Sequence, residues 1–110
     1  MLFRHEINPY NVTDTVVFRN LEKTLKLTVK ADASALVIDL KKVHDRLASL
    51  TDDTPDEEKA AAARLFATTI FGDQGDSLCR FYEDPLSVIN ACGLYFTERL
   101  KKKITKAQKR

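Results

Sequence analysis

Residues able to do chemistry are scarce in this sequence of 110 residues. The chain has two histidines, His5 and His44, and two cysteines, Cys79 and Cys92, which lie thirteen positions apart. This spacing fits neither a zinc site nor a C-x-x-C redox pair. No Ser-His-Asp arrangement can be placed, and the sequence contains no P-loop, dinucleotide fingerprint or H-E-x-x-H motif. We therefore expect no catalytic residue, no metal, no cofactor and no enzymatic activity.

The densest acidic stretch lies at residues 52–58. Its acids do not have the spacing of the oxygen ligands in a calcium loop. Thr54 and Glu57, three residues apart, are instead typical of a capping box at the start of a helix, and Pro55 suits the first helical position. The acids would then face the positive end of the helix dipole. We expect this stretch to begin a helix and to have no acid–base role.

The charge of the chain is unevenly distributed. The formal net charge is +2, but residues 99–110 carry seven basic residues and no acid, so the rest of the chain sums to −5. A basic end of this kind could dock an acidic protein surface or a phosphate backbone, or it could be a solvated helix end. Its lysines are not interleaved with aromatic residues, so no base-stacking platform is visible. We do not expect nucleic acid to be the main partner.

The first third of the chain predicts an arm followed by a β-hairpin. Residues 1–14 lack a steady hydrophobic period and are expected to form an irregular N-terminal arm. A β-branched and aromatic cluster at residues 16–18 is followed by Leu25, Leu27 and Val29, which alternate with polar residues. Because an isolated hairpin is marginally stable in water, its apolar face must cover a helix.

The remainder predicts helices. Residues 33–50 carry leucines and a valine in steps of four and three, residues 55–71 follow the capping box and end at Gly72, and a short helix follows from Asp76. A last helix spans residues 85–104 and is apolar almost all round in its first half, so it is either central or shared with a partner. The predicted fold is mainly α: a small helical bundle of three longer helices and one short helix with an N-terminal β-hairpin. It forms a single domain, residues 15–104, followed by a basic C-terminal tail, residues 105–110.

No stretch reaches the ~20 apolar residues of a membrane span, and residues 1–30 contain no run typical of a signal peptide. We therefore expect no membrane partner and a cytoplasmic location with reduced thiols.

Over residues 15–110 the chain resembles small proteins encoded by phages and prophages of Gram-positive bacteria. These proteins are similar to the tail-assembly chaperones of long-tailed phages. The resemblance rests on short segments in both halves, namely Phe18–Leu21, Leu25–Val29, Ala63–Ala67, Ile70–Gly72, Phe81-Tyr82, Val88–Asn90, Cys92-Gly93, Tyr95-Phe96, Arg99-Leu100 and Lys103–Lys109.

The resemblance implies a binding function without catalysis. Such chaperones bind the tape-measure protein in the host cytoplasm and keep it soluble until the tail tube polymerises. They tend to self-associate, are not expected in the mature virion, and often have a longer, frameshifted form. Two alternatives stay open: a structural adaptor or connector protein of the phage particle, and a small DNA-binding regulator.

A chaperone for a long helical protein needs an adaptable apolar surface beside a charged rim. The sequence offers aromatic and basic candidates for contact with this partner: Phe71, Phe81, Tyr82, Tyr95, Phe96, Arg99, Lys101, Lys102 and Lys103. The competing interpretation is that aromatic residues at helical spacing make core, and that the basic residues form a solvated helix end.

Overall fold

The computed structural model describes residues 10–109. Within them the chain forms the predicted mainly helical bundle with an N-terminal β-hairpin, which confirms the predicted fold class. The elements in chain order are β1 (Val12–Asn20), β2 (Lys23–Ala31), α1 (Ala33–Ala48), α2 (Asp56–Phe71), a 3-10 turn (Gly72–Gln74), α3 (Gly75–Tyr82), α4 (Pro85–Tyr95), a π turn (Phe96–Leu100) and α5 (Lys101–Gln108). No helix in this range is both long and apolar enough to cross a bilayer.

The hairpin has one face against the helices. Strands β1 and β2 are antiparallel, with Val16 opposite Leu27, and every second side chain of β1 from Val12 onward points inward. The pairing begins at Val12, inside the stretch expected to be an irregular arm, because residues 12–14 have ladder partners in residues 29–31. The polar Asp14 on the inward face interrupts the apolar alternation at this point. The rest of the expected arm, residues 1–9, lies outside the described residues.

Helix α1 begins and ends close to its predicted limits. The side chain of Asp32 caps it by accepting a hydrogen bond from Ala35 N at 3.0 Å, which satisfies one free amide of the first turn. Leu36 and Val43 are buried, whereas Leu40 is half-buried. The apolar stripe of α1 is therefore only partly covered by its neighbours.

The predicted capping box of α2 is wrong. The hydroxyl of Thr54 accepts a hydrogen bond from Thr51 N at 2.8 Å, so it is engaged in the preceding turn. Pro55 occupies the N-cap position, with no side-chain hydrogen bond to the first turn. The three acids of residues 56–58 do lie in the first turn, where they face the positive end of the helix dipole.

Helix α2 ends at Phe71, as predicted, because Gly72 adopts a φ of +61°. The break that we expected at residues 72–75 is instead a 3-10 turn that leads directly into α3. Gly75 allows the start of α3 to lie this close to α2, since a β-carbon at residue 75 would lie 2.6 Å from Thr68 N. Gln74 then ties the turn to the hairpin by exchanging two hydrogen bonds with Thr28, of 3.0 and 2.9 Å.

The last helix is longer than predicted. Elements α4, the π turn and α5 follow one another without a gap, so the helix runs to Gln108 and includes most of the basic tail. Asp84 precedes Pro85 at the N-cap, but its carboxylate accepts from Ser87 Oγ at 2.9 Å and makes no bond to a backbone amide. One face of α4 is buried in the core, while Leu86 and Leu94 on the other side are 52% and 60% exposed.

Candidate partner-binding groove

An apolar groove runs between α1 and α5. Its cavity volume is about 390 Å³. Its walls and floor are formed by aliphatic and aromatic side chains from α1, α2, the π turn and α5: Val37, Leu40, Val43, Leu47, Phe66, Phe96 and Ile104. The rim is polar or basic and consists of Lys41, His44, Lys101, Thr105 and Gln108. The groove is thus a hydrophobic trough with a hydrophilic edge.

The groove exists because α1 carries more apolar surface than α2 covers. Leu36 and Val43 lie on the covered edge of the stripe, whereas Val37, Leu40 and Leu47 are half-buried along the open edge. Helix α5 approaches this open edge but is mostly polar, so it closes one side of the trough without filling it.

The π turn helps to aim α5 at the groove. A π turn contains more residues per turn than an α-helix, so it rotates the face of the helix that follows it. Leu100 in this turn is fully buried and Ile104 is 5% exposed, which anchors the start of α5 to the core. The next positions on the same side of α5, Thr105 and Gln108, line the groove.

A basic surface adjoins the groove. A second depression on α5 shares Lys101 and Thr105 with it, and its other lining residues are Thr97, Lys102, Lys106 and Lys109. We call Lys101, Lys102, Lys106 and Lys109 the lysine stripe. Among the described residues, no carboxylate lies within 4.0 Å of these four ammonium groups, and no carboxylate lines the groove. Lys101 therefore lies on the edge of the groove, and the other three lysines of the stripe extend its positive charge along the adjoining surface of the last helix.

Two of the predicted aromatic contacts are in the core. Phe71 and Tyr95 are 4% and 5% exposed, and their rings stack with centroids 5.8 Å apart. Phe71 also meets Phe18 of β1 edge to face at 5.5 Å. These rings join the hairpin to α2 and α4, so they offer a partner almost no surface.

Two further aromatic candidates attach the hairpin to α3. The hydroxyl of Tyr82 donates to the carbonyl of Arg19 at 2.9 Å, and the side-chain amide of Asn20 donates to the carbonyl of Phe81 at 3.0 Å. Both rings are half-buried and lie 5.0 Å apart, edge to face. Desolvation raises the pKa of Tyr82, which keeps its hydroxyl protonated as a donor. Neither ring lines the groove.

Two basic candidates are engaged within the fold. Arg99 Nη2 lies 2.7 Å from Asp14 Oδ1, and Lys103 Nζ lies 3.9 Å from the same oxygen. The other carboxylate oxygen of Asp14 accepts from the hydroxyl of Tyr95 at 2.8 Å. Burial, this hydrogen bond and the charge of Asp14 all raise the pKa of Tyr95.

Of the nine predicted contacts, Phe96 and Lys101 line the groove and Lys102 adjoins it. The structure does not bring the other six to this site. Sequence reasoning missed the other six apolar residues that line the groove, which are Val37, Leu40, Val43, Leu47, Phe66 and Ile104. A signal was present in the adjacent apolar pair at residues 36 and 37, which widens the stripe of α1 beyond what one neighbouring helix covers.

The groove has the properties of a binding surface. Burial raises the pKa of the Cys92 thiol to about 12, and neither this thiol nor that of Cys79 lines the groove. His44 on the rim is exposed, 3.8 Å from Asp45. Among residues 10–109 no group of three potential ligands could hold a metal ion. The groove residues can bury an apolar surface and attract negative charge.

Comparison with known proteins adds no relative from which a function could be transferred: no family model, no curated protein and no solved structure matches the chain. The groove, the lysine stripe and the resemblance described from the sequence are therefore the basis for a functional proposal.

Proposed function

We propose that this protein is a phage tail-assembly chaperone, which binds the tape-measure protein and keeps it soluble during tail assembly. The observation that carries the proposal is the apolar groove between α1 and α5. The resemblance implies that the tape-measure protein is long, helical and aggregation-prone until the tail tube polymerises around it. An amphipathic helix that lies in an apolar groove is a recurrent mode of protein recognition.

The chemistry of the groove suits temporary protection of such a helix. Leu40, Leu47 and Phe96 are half-buried, so a partner that covers them gains hydrophobic free energy without unfolding the chaperone. The polar rim stays in contact with water, which keeps the complex soluble. Binding of this kind involves no bond-making, and we propose that the protein is not an enzyme.

The proposal places the protein in the cytoplasm of the bacterial host and outside the mature virion. It includes self-association, as the resemblance implies. Sedimentation of the purified protein over a range of concentrations tests this part: a concentration-independent monomer mass would contradict it.

The main experiment is co-expression of the protein with a tape-measure fragment encoded in the same phage or prophage. We expect the fragment to move into the soluble fraction with the wild-type protein. Leu40→Gln, which places an amide in the groove, should reduce the soluble fraction. Ile38→Gln is the matched control, because Ile38 lies on the same helix, is 58% exposed and does not line the groove.

Three results would contradict the proposal. The fragment could stay equally insoluble with and without the protein, or Leu40→Gln could solubilise it as well as Ile38→Gln does. The third is detection of the protein in purified virions at a fixed copy number, which would favour a structural adaptor or connector. Circular dichroism and thermal unfolding of both variants establish that they are folded.

The lysine stripe provides a specific reason to test the DNA-binding alternative. The four lysines of this stripe lie along about three turns at the end of the chain's last helix and could contact phosphates. A DNA-binding regulator should bind duplex DNA with an affinity that falls steeply with salt, and should leave the tape-measure fragment insoluble. Phosphate contacts give no role to the apolar floor of the groove, which is why we favour the chaperone.

A further inference from the structure

The walls of the groove limit the form of its occupant. Along α1 the groove extends from Val37 to Leu47, which is about 15 Å at the rise of an α-helix. This length accommodates about three turns of a partner helix. Both long walls are helices, whose backbone groups are hydrogen-bonded internally, so they cannot add a partner strand by backbone pairing. The occupant must bind through side chains, as an amphipathic helix does.

The two walls differ in charge. The α5 wall carries the lysine stripe, and residues 99–109 contain no acid to neutralise it. On α1 the three basic residues Lys41, Lys42 and Arg46 are largely offset by the acids Asp39 and Asp45, which leaves a net charge of +1, whereas α5 carries four lysines and no acid. Positive charge is therefore denser on the α5 side of the groove than on the α1 side, where Lys41 is the basic lining residue.

We infer that the groove selects an amphipathic helix whose acidic residues lie along the side that faces α5. The apolar residues of this helix, at spacings of three and four, fill the trough, and its Asp and Glu side chains meet the lysine stripe. This inference rests on the proposed function and specifies which kind of tape-measure segment the protein binds. It also fixes which way the acidic flank of the bound helix faces, because the α5 edge is the more basic of the two edges.

Among the described residues, the densest acidic helix start of a second copy does not offer such a helix. Its own acidic helix start, residues 56–58, belongs to α2, whose apolar residues Phe66 and Ile70 are buried in the core. Leu65, at 39% exposed, is the exposed large apolar residue of that helix. A copy of the protein therefore lacks a free apolar stripe beside the acids of α2.

The test uses three labelled peptides of equal length and fluorescence anisotropy. The first is an amphipathic helix with Glu along one flank, the second has Lys in place of each Glu, and the third is the acidic peptide with its sequence scrambled. Two triple variants of the full chain are matched in charge. Lys102→Ala, Lys106→Ala and Lys109→Ala together remove most of the lysine stripe, whereas Lys23→Ala, Lys26→Ala and Lys30→Ala together remove three exposed lysines of β2.

We expect the acidic amphipathic peptide to bind about tenfold more tightly than the lysine peptide at about 0.05 M salt, with a smaller difference at about 0.5 M. The α5 triple variant should lose about tenfold in affinity for it, and the β2 triple variant should bind like wild type. Equal binding of the acidic and lysine peptides would overturn the inference while leaving the co-expression result, and thus the proposed function, intact. Equally tight binding of the scrambled peptide would also overturn the inference, and so would displacement of the bound acidic peptide by duplex DNA. In either case negative charge alone would be sufficient for binding.

Discussion

The hydroxyl of Tyr95 on α4 donates a hydrogen bond of 2.8 Å to the carboxylate of Asp14 on β1, across 81 positions of sequence. Asp14 points inward from the strand, and its side chain is 8% exposed. Arg99 binds the second carboxylate oxygen at 2.7 Å, and its guanidinium carbon lies 5.8 Å from the centre of the Tyr95 ring. This cluster joins the first strand to the last helix and compensates a charge on the inner face of the hairpin.

Tyr95→Phe should therefore destabilise the protein. It removes a hydrogen bond to a nearly buried carboxylate, which corresponds to a loss of about 1.5–3 kcal/mol in the free energy of unfolding. Tyr82→Phe is the matched control, because the Tyr82 hydroxyl bonds to a neutral carbonyl; its loss should be about 1 kcal/mol. Urea unfolding measures both values. A smaller loss for Tyr95→Phe than for Tyr82→Phe would contradict the importance of the Asp14 cluster.

Gly75 and Gly93 should respond in opposite ways to alanine. A β-carbon at Gly75 would lie within 2.7 Å of three backbone atoms of α2, so Gly75→Ala must displace α3 and should cost about 1–3 kcal/mol. At Gly93 nothing lies within 4 Å, so Gly93→Ala should stabilise the helix by up to about 1 kcal/mol. Thermal unfolding of the two variants measures both changes in stability. The prediction fails if both substitutions shift the midpoint in the same direction.

Glu83→Gly should stabilise the protein. Glu83 ends α3 in the left-handed region, at a φ of 63°, where a side chain is disfavoured and glycine is not. We expect a gain of about 1 kcal/mol in the free energy of unfolding. Glu83→Ala separates this effect from loss of the carboxylate, because alanine keeps the β-carbon. A gain of equal size in Glu83→Ala would show that the backbone conformation is not the cause.

Stability should fall as the pH rises above about 9. Burial raises the pKa of Cys92 from its ordinary value of 9.0 to about 12, so the unfolded chain loses this proton at a lower pH than the folded chain does. The free energy of unfolding then decreases between these two values. Burial also raises the pKa of Cys79 and Tyr95, which adds to the decrease. Denaturant unfolding at several pH values should show a shallower decrease for Cys92→Ala, and an unchanged slope would contradict the assignment.

The hairpin shows how far a local pattern can be used. The alternation of Leu25, Leu27 and Val29 identified the strand and its inner face, because a strand sends successive side chains to opposite faces. The same rule could not place Val12–Asp14 in β1, since Asp14 looks like a residue for the outer face. Its inward position is tolerated only because three side chains near the last helix supply donors or positive charge.

For the candidate contact residues, local sequence patterns were not sufficient. Aromatic residues at helical spacing could be assigned to a partner surface or, as is more usual, to the core, and Phe71 and Tyr95 are core. The groove depends on how α5 lies beside α1, far apart in the chain, and so the sequence contained only the indirect signal of a wide apolar stripe. Phe96 and Lys101 were identified as candidates by residue type, but the sequence did not show that both line the same groove.

Composition, hydrophobic period and helix-breaking residues by themselves determined that the chain is a mainly helical bundle behind a β-hairpin, with a basic end and scarce chemical groups. These are properties of neighbours in sequence, whose geometry is set by the periods of helix and strand. Only the tertiary structure decided which apolar residues are left uncovered, which lysines are free of carboxylates, and where the two meet. Those outcomes depend on packing between distant elements, where burial of one side chain is determined by the positions of all its neighbours.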